Sequence, residues 1–381
     1  GSGETFNGTN LTFAGTEPMI VVTMNYRVGA FGFYASQEIY DLHGCGPNNA
    51  STTGAMNGVS DILQALLFVQ NHISAFGGDP TRVTLSGESS GSVASCALAF
   101  SPAAQGLFHQ LILESGVCTG PWMGPSTTEE QFNTSALLAQ DLQVSSLKEM
   151  QHVDAMDIVN ADHFESPNFG VDGCFLTDDP VNLPLAMSGL PDTPRAVIVG
   201  GNSLDTTCVG ATGDLGHPTD KETLRSHLET YFPGDVDTVL APYEPYLDMV
   251  AAQREAPGNG SDPVPHDPWC NEFCSVWLTM SRDAGVSCPS LWIARQLSSF
   301  RPGSNTSTSV WLYQFGYNAT VPGDSVHHGG ELDFVWNRKA AFDSSQAQSV
   351  SAAMGEYWSN FVSTGKPSFK KSRHNWPDEW P

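Results

Sequence analysis

Short apolar runs alternate along this chain with longer amphipathic stretches. Five runs have strand character: residues 19–25, 82–86, 111–114, 196–200 and 310–315. Between the first two lies a segment, 59–73, in which Ile62, Leu63, Leu66, Leu67, Val69 and Ile73 recur at helical spacing. Gly77-Gly78-Asp79-Pro80 then breaks the pattern and turns the chain into the second apolar run. Strands separated by helices predict an α/β fold, a mostly parallel central sheet with helices on both faces. The pattern loosens around 120–195 and again around 210–290, where helical stretches alternate with polar turns. Segments of that kind form caps and pocket walls over a rigid scaffold. Residues 253–268, rich in Pro, Gly and Asp, read as a surface loop. With no internal repeat and no linker, residues 1–381 are expected to form a single domain.

Composition narrows the classes. The chain has 381 residues, 40% hydrophobic and 15% charged, which is a globular balance. Its formal net charge of −25 repels nucleic acid and anionic membranes, so neither is an expected partner. No apolar run is long enough to cross a membrane. Eight cysteines and seven N-x-[ST] triplets, starting at Asn7, Asn10, Asn49, Asn133, Asn259, Asn305 and Asn318, point to a secreted, disulfide-bonded glycoprotein. His266, Cys270 and Cys274 are spaced by four and would share one helix face. A disulfide or buried thiol is the favoured reading there over a metal site, and no metal or cofactor is expected.

The sharpest chemical signal is Gly87-Glu88-Ser89-Ser90-Gly91, set between the apolar run 82–86 and a helix-compatible run, 92–100. A G-x-S-x-G in that setting is the nucleophile elbow of an α/β-hydrolase. The tight turn strains the serine backbone and needs neighbours without a Cβ. The Ser90 amide would then lie at a helix N-terminus, where it can stabilise an oxyanion. Serine needs a base, and the base needs an acid to fix its tautomer. In this fold the chain order is Ser, acid, His. Asp205 follows the apolar run 196–200 and its Gly-rich turn, where it can serve as that acid or merely cap the next element. Either His327 or His328 can serve as the base; the following glycine pair frees His328 from crowding.

At this point the chain resembles the type-B carboxylesterases, the cholinesterase-like α/β-hydrolases. The resemblance is carried in order by the blocks at 22–33, 57–61, 76–80, 101–102, 106–108, 113–116, 171–173, 357–361 and 364–367. It implies Ser89 as nucleophile, His328 as base and Asp205 where the family has its acid, often Glu. It aligns Gly1–Gly8 with the family's oxyanion turn, so that the amides of Ser2 and Gly3 join that of Ser90; the family more often has Gly at the position of Ser2. It implies Ser115 as a partner near the acid and His, Glu88 as a pocket carboxylate or a structural hydrogen-bonding group, and Trp122 at an acyl-pocket entrance. Arg27 and Asp61 fall where the family has a buried ion pair, and Cys288 where the partner cysteine lies in a tail absent here. The family's strands ahead of the oxyanion turn are also absent, which implies a fragment or a second chain supplying them. The expected function is hydrolysis of a small-molecule carboxylic ester without a cofactor. A catalytically inactive adhesion or binding module, or an inactive fragment, is the alternative; oligomeric state is not legible.

Overall fold

A computed structural model describes residues 6–42, 55–120, 123–165, 168–182, 196–203, 205, 217–255, 271–299, 308–317 and 327–368. Along the chain the main elements are α1 (Asn57–His72), β1 (Thr84–Glu88), α2 (Ser90–Phe100), β2 (Gln110–Glu114) and α3 (Thr128–Asp141). They continue with β3 (Ala196–Asn202), α4 (Lys221–Tyr231), α5 (Glu244–Glu255), α6 (Glu272–Arg282), α7 (Cys288–Ser299), β4 (Ser309–Phe315) and α8 (Ser345–Thr364). The four strands form one parallel sheet in the order β1-β2-β3-β4.

Alternation along the strands sends side chains to two separate cores. Leu85, Leu111, Leu113, Val197 and Val199 pack on one face against α1, α2 and α7. Ile112, Ala196, Ile198, Tyr313 and Phe315 pack on the other against α8, through Ala347, Val350, Tyr357, Trp358 and Phe361. A central strand such as β3 is therefore apolar on both faces, and all seven of its residues are buried. Burying helix α1 through Val59, Ile62, Leu63, Leu66 and Val69 follows the i, i+3, i+4, i+7 rule that its sequence shows. A separate core of Leu224, Leu228, Leu240, Leu247, Val276, Trp277 and Met280 holds α4, α5 and α6 together.

The run at 19–25 departs from its expected strand. It has no ladder hydrogen bonds among the described residues, and Ile20 and Val22 stay 44% and 45% exposed. A strand is defined by a paired neighbour, and this segment instead flanks a cavity of about 1310 Å³ whose opposite wall is β1. The same placement corrects the Arg27–Asp61 pair, expected to be buried. Its Nη2 and Oδ1 lie 2.7 Å apart, but the side chains are 51% and 27% exposed. Arg27 is half-exposed, so water reaches the pair.

Candidate active site

Ligand sites in open parallel sheets lie beyond the carboxyl ends of the strands. The sequence-predicted Ser, acid and His all fall there, after β1, β3 and β4 respectively. Ser89 has φ 55° and ψ −124°, a conformation that side chains rarely adopt. Its amide donates to Glu114 O at 2.9 Å and its carbonyl accepts from Val93 N at 2.9 Å, which starts α2. The Ser90 amide is thus in the first turn of an eleven-residue helix. Close packing holds this turn at two glycines. A Cβ added to Gly87 would lie 2.2 Å from Gly91 O, and one added to Gly116 would lie 2.7 Å from Ser89 O. Gly91 itself is not so constrained: its Cβ would meet only Tyr26 Oη, at 3.8 Å. Of the two glycines in the motif, the steric demand falls on the first.

His328 is the histidine that meets Asp205. Nδ1 and Asp205 Oδ1 are 2.7 Å apart, and the acid is fully buried. The other oxygen, Oδ2, accepts from Asn202 N at 2.6 Å. His327 contributes its backbone instead, its carbonyl accepting from Asn202 Nδ2 at 2.6 Å. The same Asn202 amide donates to Glu331 Oε2, and Ser115 Oγ donates to Glu331 Oε1 at 3.2 Å. Ser115 and Asn202 thus meet at Glu331.

His328 Nε2 makes no hydrogen bond, to Ser89 Oγ or to any other group described. It lies 3.3 Å from Glu88 Oε1, which also lacks a hydrogen-bond partner. The Glu88 Oε1 atom thus faces the imidazole. Burial pushes it up to about 7, against the pull of His328 and with the push of Glu331 and Asp205. Burial works against a charged imidazole at His328, but the Asp205 hydrogen bond and the charges of Glu88, Asp205 and Glu331 prevail and raise it above the usual range.

Three groups here escaped the sequence reading. Glu331 is raised by burial, opposed by its Asn202 hydrogen bond. Glu114, fully buried, is raised well above the usual carboxylate range by burial and by Glu331, while Trp358 Nε1 donates to its Oε1 at 2.7 Å. Asn202 is the third, the amide that links both loops. A usable signal existed for Glu114: it sits at the end of an apolar strand in register with Glu88. Ser2, Gly3 and Trp122 lie outside the described residues, as do His266 and Cys270. Cys274 is disulfide-bonded, in keeping with the disulfide reading, and Cys288 is a free, exposed thiol. No His, Cys, Asp and Glu cluster suited to a metal occurs among the described residues.

A strained serine on a strand–helix turn, with a buried His–Asp pair beyond the neighbouring strand ends, defines an α/β-hydrolase type of site. The chain matches the carboxylesterase family over residues 1–379 and belongs to it. It is similar to mouse (Mus musculus) cholinesterase, 29% identical over 96% of this chain and 59% of that protein. It is also similar to rat (Rattus norvegicus) pyrethroid hydrolase Ces2e, 28% identical over 97% of this chain and 61% of that protein. With the para-nitrobenzyl esterase of Bacillus subtilis it shares 28% identity over 99% of this chain and 70% of that protein. The chain thus spans about three-fifths of the length of the first two relatives.

Proposed function

We propose that this chain is a serine carboxylic-ester hydrolase working through Ser89, His328 and Asp205 and an acyl-enzyme intermediate. The observation that carries the reading is the 2.7 Å His328–Asp205 contact, which leaves Nε2 unbonded at the wall of the cavity that Ser89 also lines. With Nδ1–H donated to Asp205, Nε2 holds the lone pair a general base needs. Ser89 Oγ attacks the ester carbonyl as Nε2 takes its proton. The tetrahedral oxyanion sits at the N-terminus of α2, on the Ser90 amide, joined in this reading by the amides of Ser2 and Gly3. His328 returns the proton to the leaving alcohol, then activates the water that releases the acid. Substrates are small-molecule esters, and no cofactor takes part.

Exposed Asn7, Asn10 and Asn133 acceptors and the Cys96–Cys118 disulfide support a secreted glycoprotein. Asn49, Asn259, Asn305 and Asn318 lie outside the described residues. Among the described residues β1 is an edge of the sheet and lines the cavity, which supports a second chain pairing there.

The test is hydrolysis of a p-nitrophenyl ester series beside Ser89→Ala. Turnover by the wild type and none by the variant is the expected result. A folded wild type without turnover would favour the binding-module reading.

A further inference from the structure

Arg282 closes α6, directly ahead of a π-helical turn, Asp283–Ser287, that leads into α7. π-Helical turns are rare and concentrate at functional sites. The guanidinium divides its donors between two targets. Nη1 donates to Ser203 O at 3.0 Å; Nε and Nη2 donate to Asp283 Oδ1 at 2.9 and 2.7 Å. The other oxygen of Asp283 accepts from Tyr243 Oη at 2.9 Å, so the chain of contacts begins just ahead of α5. The π-helical turn also meets the end of β3: a Cβ added to Gly201 would lie 2.6 Å from Val286 Cγ1 and 2.4 Å from Asp205 Oδ2. On the far side, Ser203 N donates to Phe315 O at 2.8 Å. Both backbone groups of Ser203 are thus fixed, one by β4 and one by Arg282, two residues ahead of Asp205.

We propose that Arg282 is a positioning residue for the acid of the triad, setting the Asp205–His328 contact through the Ser203 carbonyl. This rests on the triad reading above. The role is geometric. The guanidinium charge is matched by Asp283 beside it, so little net field reaches Asp205. The fork is what matters, because a lysine ammonium cannot hold the Ser203 carbonyl and the Asp283 carboxylate in the same fixed plane.

The experiment compares wild type, Arg282→Gln, Arg282→Lys and Arg225→Gln, the last at an exposed ion pair with Asp237. Small displacements of a catalytic group are costly, and R282Q is expected to lower kcat on p-nitrophenyl acetate about tenfold with KM within about twofold. R282K falls between R282Q and wild type, and R225Q matches wild type. The acid limb of kcat/KM moves to lower pH in R282Q, because His328 loses part of its Asp205 hydrogen bond while Glu88 and Glu331, the other carboxylates acting on it, are unchanged. The low-field proton resonance of His328 Nδ1–H weakens in R282Q and R282K and disappears in Asp205→Asn. An R282Q protein with normal kcat, acid limb and resonance overturns the proposal, and so does one that only melts earlier. Should the wild type hydrolyse no ester, the triad reading fails on its own, and the resonance alone then decides the role of Arg282.

Discussion

Replacing Glu88 by Gln isolates the contact that most distinguishes this site, a carboxyl 3.3 Å from the nitrogen that accepts the serine proton in the proposed mechanism. His328 works as a base only when neutral. A neighbouring carboxylate stabilises the imidazolium, raises its pKa and shuts the base down over a wider acid range. Removing it must move the acid limb to lower pH. At an effective dielectric of ~20, full charges at that distance interact by ~5 kcal/mol, an upper bound. Glu88, pushed up to about 7, is only partly ionised where the limb falls. Glutamine also keeps a carbonyl dipole near Nε2. A shift of about one pH unit, ~1.4 kcal/mol, is the expected remainder. The shape should change as well. Two coupled groups give a limb with two macroscopic ionisations; the variant leaves one. The assay is kcat/KM on p-nitrophenyl acetate from pH 5 to 9. A limb that stays in place, or moves to higher pH, refutes the reasoning, because either means that Glu88 is not charged toward His328 while the enzyme loses activity.

Asp205→Asn should lower kcat by about 10⁴ with little change in fold, since an amide cannot hold the required tautomer; stopped assays of the purified variant check this. Gly87→Ala should prevent folding or destabilise severely, because its Cβ would lie 2.2 Å from Gly91 O, whereas Gly91→Ala should stay within about 1 kcal/mol of wild type; urea titrations of both discriminate. Stability should fall as pH rises from about 5 to 8, at up to ~1.4 kcal/mol per pH unit for each proton retained. Glu88, Glu114, Glu331 and His328 all have folded values above their unfolded ones, so each stabilises below its unfolded pKa and loses that contribution on titrating through the folded one. A thermal midpoint that climbs over this range would contradict the burial of those carboxyls.

The legible parts of this fold are those set by local pattern. Four of the five apolar runs became β1 to β4, with bounds moved by at most two residues at either end. The fifth, 19–25, failed for a reason no local pattern contains, since pairing depends on what lies alongside. Ser89 was legible because the elbow is a contiguous motif. Position alone left Asp205 balanced between acid and cap, and contact with His328 Nδ1 across 123 residues favours the acid role. Glu331 and Asn202 were invisible for the same reason. Each is an ordinary polar residue in sequence, and only the approach of the loops after β3 and β4 buries them together.

Glu88, Glu114, Glu331 and Asp205 surround a site that, in the proposed mechanism, stabilises a developing oxyanion, an arrangement that looks unfavourable in a chain already carrying −25. Burial resolves the conflict. It raises Glu88 to about 7 and also raises Glu114 and Glu331, so burial disfavours the charged form of all three. Asp205 is held differently, by hydrogen bonds to the Asn202 amide and to His328. Across the site, the N-terminus of α2 presents unsatisfied amides and the positive end of its dipole on the side where the oxyanion forms. The proposed proton transfer from Ser89 to His328 thus has Asp205 behind the imidazole and the positive end of a helix beside the serine. Glu88 is the carboxyl best placed to disturb it, because it lies 3.3 Å from Nε2 and is pushed up to about 7.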